Sequence, residues 1–353
     1  MTGRVSSDII TSKRAPGGAG RAMAVALALL VLSSGCARRG DPAGPEDDGP
    51  TGYRVVTTFA VEGYAEDVCV EGSIALVAAS QGGLVVLDVS NPSAPVHLGT
   101  APTVFKGTGC AYAPSDSFGY VTDGSLGCVA YDLTDPSAPE EVAYAAGTRT
   151  WDIAVVETAP GQLHHIFGAD GEGDFRIWEL RYFAGYDAWF SNEVYHGTTT
   201  GSARGVCLHG DLVLLAMEEL GLSIFDVSSL QSPYEVGHVD TPGDARSVAT
   251  DGTHAYVADW RAGLQVIDIS EPSSPVVVGS YDTDDISDGV YYRDGLVYLA
   301  DHNGGLKVFD VADPEEPVLV GSLDTPYANA VYVTDEYVFV ADRDWGLVVA
   351  EED

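Results

Sequence analysis

The sequence is poor in positive charge. Its 353 residues contain 17 Lys and Arg against 53 Asp and Glu, a formal net charge of −36. A surface of this sign repels phosphate, so the composition excludes a nucleic-acid-binding protein that works through a basic face. Cysteine is also rare, with 5 residues and no Cys-x-x-Cys spacing.

Catalytic motifs are missing as well. The chain has no Gly-x-Ser-x-Gly, no His-Glu-x-x-His and no Walker loop, and its 8 His residues are scattered. No segment beyond the N-terminus has a helical period. The hydrophobic fraction of 45% is ordinary for a globular protein and argues against disorder.

The N-terminus resembles a lipoprotein signal. A basic segment precedes an apolar run, Ala22 to Leu32, which is too short to span a bilayer. Ser33-Ser34-Gly35-Cys36 follows and resembles a bacterial lipobox, with Leu32 one position further from the cysteine than in the commonest form. We expect residues 1–35 to be removed and Cys36 to be lipidated. An ordinary signal peptide with an unrelated cysteine is the alternative.

Residues 36–52 lack apolar periodicity and are expected to form a flexible tether between the membrane and the domain. Without residues 1–35 the chain carries 13 basic and 52 acidic residues, a net charge of −39. Ala37, rather than Asp, follows the cysteine, so an outer-membrane lipoprotein is the expected location. The leaflet that it faces stays open.

The rest of the chain is a repeat. The segment GLVVLDVSNPSAP at 83–95 recurs as GLQVIDISEPSSP at 263–275 and as GLKVFDVADPEEP at 305–317. The acid of each copy lies at Asp88, Asp132, Glu179, Asp226, Asp268, Asp310 and Glu351. The spacing of 41 to 47 residues is typical of a propeller blade.

Each unit reads as four antiparallel strands. In the fifth unit we expect strands at Ser247–Thr250, His254–Ala258, Leu264–Ile269 and Val276–Tyr281, with a turn at Asp251-Gly252. The last unit has three strands, and the segment Tyr53–Phe59 resembles the missing fourth. The sequence therefore predicts an all-β, seven-bladed propeller over 53–353, closed by the N-terminal strand and monomeric.

These repeats resemble the LVIVD-repeat family of bacterial extracytoplasmic β-propellers. The likeness is specific in the units that start at Gly83, Gly263 and Gly305, and loose in the third unit, where an aromatic segment from Tyr182 to Tyr195 replaces the Pro-x-x-Pro turn. The resemblance implies a fold and an extracytoplasmic location, and no established common enzymatic activity.

One position per blade, just before the first strand, is predicted to surround the channel on the ligand face. These positions are polar or aromatic and differ between blades, as expected for recognition. They are Glu66, Thr108, Trp151, Arg204, Arg246, Asp288 and Asn329. Arg204 and Arg246 could grip a carboxylate, sulfate or phosphate. The excess of acids favours the alternative, that they pair with Glu66, Asp288 or nearby loop acids.

A second set of acids follows the second strands. It consists of Asp123, Asp170, Asp259, Asp301 and Asp342. Repetition favours turn capping over a Ca²⁺ site. Asp170, Glu172 and Asp174 resemble the start of a Ca²⁺ loop but lack its Gly and its distal Glu. A solvated loop is the preferred interpretation of Asp282, Asp284, Asp285 and Asp288.

Trp260, Trp345 and His302 are predicted on the same face, where they either stack on a ligand or cover the joint between blades. Cys69, Cys110 and Cys207 fall in first strands and are expected to be buried thiols, as is Cys128, with one disulfide left open.

The leading interpretation is therefore a non-enzymatic, lipid-anchored binding scaffold for a protein, glycan or small molecule, without a required cofactor. A metal-dependent hydrolase or lactonase, with Glu66, Asp288 and Asn329 as ligands to Ca²⁺, is the alternative, although two arginines in the same set would repel the metal. A purely structural envelope protein is the third.

Overall fold

A computed structural model describes residues 52–159, 161–171, 174–198 and 201–353. The predicted signal peptide, Cys36 and the tether up to residue 51 lie outside the described residues, as does Glu172. In the described part of the chain, 28 strands form seven four-stranded antiparallel sheets, with a single 3-10 turn at Gly124–Leu126. The predicted seven-bladed propeller is confirmed.

The blades are numbered in chain order, with strands from the channel outwards. Blade 1 contains β2 (Asp67–Glu71), β3 (Ile74–Ala78), β4 (Leu84–Asp88) and β5 (Val96–Ala101). Blade 2 contains β6 (Cys110–Ala113), β7 (Phe118–Thr122), β8 (Gly127–Asp132) and β9 (Glu140–Ala146). Blade 3 contains β10 (Thr150–Ala159), β11 (Leu163–Asp170), β12 (Asp174–Phe183) and β13 (Ala188–Thr198). Blade 4 contains β14 (Gly205–His209), β15 (Leu212–Ala216), β16 (Leu222–Asp226) and β17 (Tyr234–Val239).

The remaining blades complete the circle. Blade 5 contains β18 (Ser247–Thr250), β19 (His254–Ala258), β20 (Leu264–Asp268) and β21 (Val276–Tyr281). Blade 6 contains β22 (Gly289–Arg293), β23 (Leu296–Ala300), β24 (Leu306–Asp310) and β25 (Val318–Leu323). Blade 7 contains β26 (Ala328–Val333), β27 (Val338–Asp342), β28 (Gly346–Glu352) and β1 (Tyr53–Phe59).

The N-terminal strand closes the ring as the sequence predicts. β1 is antiparallel to β28, with a register that runs from Tyr53 opposite Glu352 to Phe59 opposite Leu347. Val56 and Phe59 pack against the core cluster that joins blades 7 and 1. The last sheet therefore has its fourth strand, and the edge of β28 is covered.

Buried side chains fill the joints between neighbouring blades. Seven apolar clusters of this kind occur among the described residues, each drawing on two adjacent sheets. A blade is therefore buried on both faces, which explains continuous apolar strands such as Ile74–Ala78 instead of an alternating pattern.

The repeats begin with a glycine because the backbone there has a positive φ and no space for a Cβ. Gly263 and Gly305 have φ of +70°, and a Cβ at either would clash with the carbonyl oxygen of the residue that ends the fourth strand of the same blade. A second glycine, Gly279 in β21, has no room for a side chain because the Pro314 carbonyl of the next blade lies against it. The Pro-x-x-Pro turn thus docks one blade on its predecessor.

Blade 3 is longer than the others. Its irregular aromatic segment forms the hairpin between β12 and β13, in which Phe190 contacts Phe183 and Tyr186 edge-on. Because third strands run away from the channel mouth, this hairpin projects from the opposite face, where β1 begins and β28 ends.

Candidate functional site

All seven residues that the sequence places at the channel mouth line one cavity. The cavity has a volume of about 140 Å³, small compared with the roughly 300–1,000 Å³ of pockets for drug-sized ligands. Its walls are Glu66, Thr108, Trp151, Arg204, Arg246, Asp288 and Asn329. Whether they bind a ligand stays a prediction, but the fold does bring them together.

The backbone fixes this arrangement in each blade. The N–H of Glu66 donates to Ala78 O at 2.8 Å, and Arg204, Arg246 and Asp288 make the same bond to the last residue of their own second strand. The side chain is thereby held at the start of the first strand, facing the channel. Adjacent blades are tied here as well, because Asn329 Nδ2 donates to Ala65 O at 2.8 Å and Thr108 Oγ1 to Trp151 O at 2.9 Å.

Arg204 and Arg246 lie on neighbouring blades and each covers a tryptophan. The Arg204 Cζ is 3.8 Å from the Trp151 ring centroid, and the Arg246 Cζ is 4.6 Å from that of Trp260. Burial, and then the charge of Arg246, lower the pKa of Arg204. The two guanidinium groups therefore repel each other in a site with limited access to water.

Glu218 is the acid that the two arginines share. Its Oε1 lies 3.5 Å from Arg204 Nε and 3.3 Å from Arg246 Nη1, and Arg246 Nη2 lies 3.8 Å from Asp244. The pairing with nearby loop acids is thus present, whereas no ion pair within 4.0 Å links either arginine to Glu66 or Asp288 in the described chain. Arg246 Nε is buried without a hydrogen-bond partner.

Two carboxylates occupy another part of the wall. Asp288 Oδ2 lies 3.7 Å from His302 Nε2. Burial alone would raise the pKa of Asp288, but the neighbouring His302, followed by the charges of Arg204 and Arg246, holds it below its ordinary value. Burial raises the pKa of Glu66, with Asp288 adding to the shift. Asn329 Nδ2 is 3.4 Å from Glu66 Oε2.

The floor of the cavity contains two acids that the sequence analysis did not single out. Asp67 Oδ2 accepts the N–H of Cys110 in the next blade at 2.8 Å, and Asp152 Oδ2 that of Val206 at 2.9 Å. Burial raises the pKa of Asp67 to about 6 and, together with the charge of Asp67, that of Asp152 to about 7. Their equivalents in the other blades are Gly109, Gly205, Ser247, Gly289 and Ala330, so comparison of this column would have revealed both acids.

Most of the second set of acids accept backbone N–H bonds, as predicted, but only Asp342 does so within the turn after its own strand, whereas the others bond the loop that precedes the first strand of the same blade. Asp342 accepts the N–H groups of Tyr327, Asp344 and Trp345 at 2.8 to 2.9 Å. Asp123, Asp170 and Asp259 likewise accept backbone N–H bonds. Asp301 differs, since it accepts the hydroxyls of Thr283 and Ser287.

The segment from Asp170 to Asp174, which weakly resembles a Ca²⁺ loop, is only partly described by the structure. Asp170 accepts the N–H of Arg149 in the loop before β10 and lies 2.6 Å from Arg176 Nε, while Glu172 and the side chain of Asp174 are outside the described residues. In the part of the chain that the structure covers, no group of three or more His, Cys, Asp or Glu is placed to hold a metal ion. In the acidic loop at residues 282–288, Asp285 accepts a hydrogen bond from Asn303 Nδ2 at 2.8 Å.

A left-handed backbone follows the second strand in several blades. Ser80, Glu218, Trp260 and His302 have φ between +37° and +50°, and each pairs with the entry loop of the next blade. Gly124 has φ of +47° at the same position of blade 2. This conformation costs roughly 1–3 kcal/mol in a residue with a Cβ, and it directs Glu218 and Trp260 toward Arg246.

The predicted aromatic residues differ in their roles. Trp260 contacts Arg246 of its own blade, whereas His302 of blade 6 stacks on Tyr327 of blade 7 with 4.2 Å between centroids and so covers a joint between blades. Trp345 is 41% exposed. None of these three residues lines the cavity.

The four cysteines of the described chain are free thiols, two buried and two half-buried. Cys69 and Cys110, on first strands of adjacent blades, have their sulfur atoms 3.7 Å apart. Burial raises the pKa of Cys110 well above its ordinary value, and the neighbouring Cys69 adds to the shift.

Comparisons with known proteins agree with this architecture. A family model described as "LVIVD repeat" matches residues 62–103, 200–241, 242–283, 287–325 and 327–350. No curated protein matches the sequence. The described residues contain no helix long and apolar enough to cross a membrane.

Two solved structures show the likeness in fold. The WD40 β-propeller domain of Doa1 has a TM-score of 0.64 at 11% identity, covering 86% of this chain and 98% of that one. The computationally designed Ika8 protein has a TM-score of 0.57 at 10% identity, covering 84% and 99%. At these identities the similarity concerns the fold alone.

Proposed function

The chain belongs to the LVIVD repeat family, and we propose that it is a binding protein whose channel mouth takes a small anionic group between Arg204 and Arg246. The observation that carries the proposal is this arginine pair. Two guanidinium groups share the carboxylate of Glu218 and line a cavity of about 140 Å³. A carboxylate, sulfate or phosphate would supply further acceptors for the two guanidinium groups.

The distribution of positive charge supports this site. Residues 53–353 contain 11 Lys and Arg. Six of them lie around the channel mouth, near the cavity acids, each other or the aromatic rings described above: Lys106, Arg149, Arg204, Arg246, Arg261 and Arg343. In a chain so rich in acid, more than half of the positive charge of the propeller is therefore gathered at one end of the channel.

The binding test uses acetate, sulfate and phosphate as probes, titrated into the purified protein at constant ionic strength by calorimetry. We expect at least one to bind, and the double variant Arg204→Ala, Arg246→Ala to bind it at least tenfold more weakly. Arg293→Ala is the matched control, because Arg293 pairs with Asp335 at the end of the first strand opposite the mouth. Equal affinity in the double variant would overturn the proposal.

We also propose that the protein is held at a membrane by lipid on Cys36. β1 begins on the face opposite the channel mouth, so a tether that enters there would leave the mouth turned away from the bilayer. Metabolic labelling with radioactive palmitate should label the wild type and not Cys36→Ser, with Cys207→Ser as control. Labelling that persists in Cys36→Ser would contradict the anchor.

A further inference from the structure

The charges of the cavity wall are divided between two sides. Arg204 and Arg246 come from the adjacent blades 4 and 5, whereas Asp288 and Glu66 come from blades 6 and 1, on either side of Asn329 in blade 7. The cavity is therefore bipolar, with two cations on one arc and two anions on the next.

Within each arc, the two like charges repel each other. The charge of Arg246 disfavours the charged form of Arg204, and that of Asp288 disfavours the charged form of Glu66. Asn329 lies between the two acids, and its amide already donates to Ala65 O. A single amide cannot neutralise two carboxylates, and His302 contacts Asp288 but not Glu66, so in the described chain Glu66 has no cation within 4.0 Å.

The two arcs do not satisfy each other by contact. In the described chain, the ion pairs of the arginines go to Glu218 and Asp244, and that of Asp288 goes to His302. Empty space of ligand size lies between the arcs. A molecule bearing both signs would relieve both repulsions at once, which a simple anion or cation would not.

We propose that the ligand is a small zwitterion of the amino-acid type, a proposal that rests on the proposed anion site. Its carboxylate would lie on Arg204 and Arg246 and its ammonium group between Glu66 and Asp288. The small volume of the cavity fits such a molecule better than a polymer. Trp151 and Thr108 complete the wall between the basic arc and Glu66.

The experiment is a calorimetric titration with ω-amino acids from glycine to 6-aminohexanoate, which vary the separation of the two charges. Each is compared with its N-acetyl derivative, which lacks the ammonium group, and its amide, which lacks the carboxylate. We expect one chain length to bind at least tenfold tighter than both derivatives. The variant Glu66→Gln, Asp288→Asn should abolish the advantage over the N-acetyl derivative and keep affinity for the carboxylate.

The outcomes separate the two proposals. Equal binding of an amino acid and its N-acetyl derivative overturns the zwitterion and leaves the anion site standing. Absence of binding by every compound, including the inorganic anions, overturns both. Because the isosteric amide variants could affect folding, their melting temperatures are measured first, and Glu66→Gln alone serves as a second variant.

Discussion

Glu218 reaches from blade 4 to Arg246 of blade 5, with 3.3 Å between Oε1 and Nη1. Its own backbone has φ of +44°, so a strained residue supplies the carboxylate that the arginine pair shares. Its charge competes with any anionic ligand for the same donors.

Removing that charge should strengthen anion binding. In Glu218→Gln we expect the affinity for the anion found in the calorimetric test to rise about threefold to tenfold, roughly 1 kcal/mol, because the amide no longer neutralises the guanidinium groups. Glu219→Gln, a change of the exposed neighbour, should have no effect. Weaker binding in Glu218→Gln would show that Glu218 positions the arginines.

Stability should fall as the pH rises from about 4 to about 7. Asp67 and Asp152 have pKa values of about 6 and about 7 in the folded chain, against about 3.9 for a free Asp, so the native state binds more protons across this interval. Their contribution is fully present below pH 4 and is lost as the pH passes the folded values. Urea titrations should show a loss of several kcal/mol, since a change of one in pKa corresponds to about 1.4 kcal/mol.

The variant Asp152→Asn should flatten this slope, and Asp294→Asn, at an exposed turn, should leave it unchanged. Below about pH 4 the trend reverses, because side-chain and backbone hydrogen bonds from the following serine lower the pKa values of Asp88, Asp226 and Asp268. Protonation of these acids then weakens the turns. A stability that rises steadily from pH 4 to 8 would contradict this account.

The closing strand should be required for a stable monomer. Deletion of residues 1–59 removes β1 and leaves β28 as an open edge with exposed apolar neighbours. We expect aggregation or dimers in light scattering and a melting temperature lower by 10 °C or more (about 2–4 °C per kcal/mol at this size). Deletion of residues 1–51, which keeps β1, is the control and should remain monomeric.

Turn capping at the mouth should have a measurable energetic effect. Asp342→Ala leaves three backbone N–H groups without their acceptor, and we expect a loss of about 2–3 kcal/mol in the free energy of unfolding. Asp335→Ala removes an acid that is 87% exposed and should cost less than about 1 kcal/mol. Equal effects of the two changes would argue against capping by Asp342.

The native thiols should react slowly. Burial raises the pKa values of Cys110 and Cys128 far above neutrality, and that of Cys207 to about 11. Ellman's reagent at pH 8 should therefore modify these thiols only after unfolding in guanidinium. A Cys69–Cys110 disulfide in non-reducing peptide mapping would instead show that oxidation traps the close pair.

The repeat predicts the backbone well because each blade must solve the same packing problem. Three of the four strand ranges expected for blade 5 agree with the structure, and β20 ends one residue earlier since the Ile269 N–H bonds to Thr253 O outside the strand pairing. The positions of the seven mouth residues follow from the same periodicity.

The partners of these residues were less predictable. Glu218 reaches Arg246 through a left-handed backbone that has no signature other than glycine in blade 2. Asp67 and Asp152 lie at the start of predicted strands, where a carboxylate bonded to the next blade looks like an ordinary strand residue. Such contacts join residues about 43 to 54 positions apart, beyond the reach of local pattern.

Ring closure by β1 also has a mechanical consequence. Force applied through the segment before Gly52 would act along the axis of β1. It would pull β1 lengthwise past β28 instead of pulling the two strands apart sideways. The hydrogen bonds of the register from Tyr53 to Phe59, together with that from Asp353 N to Gly52 O, would then share the load in shear and would not open one by one. A propeller pulled through this segment would therefore resist being peeled apart.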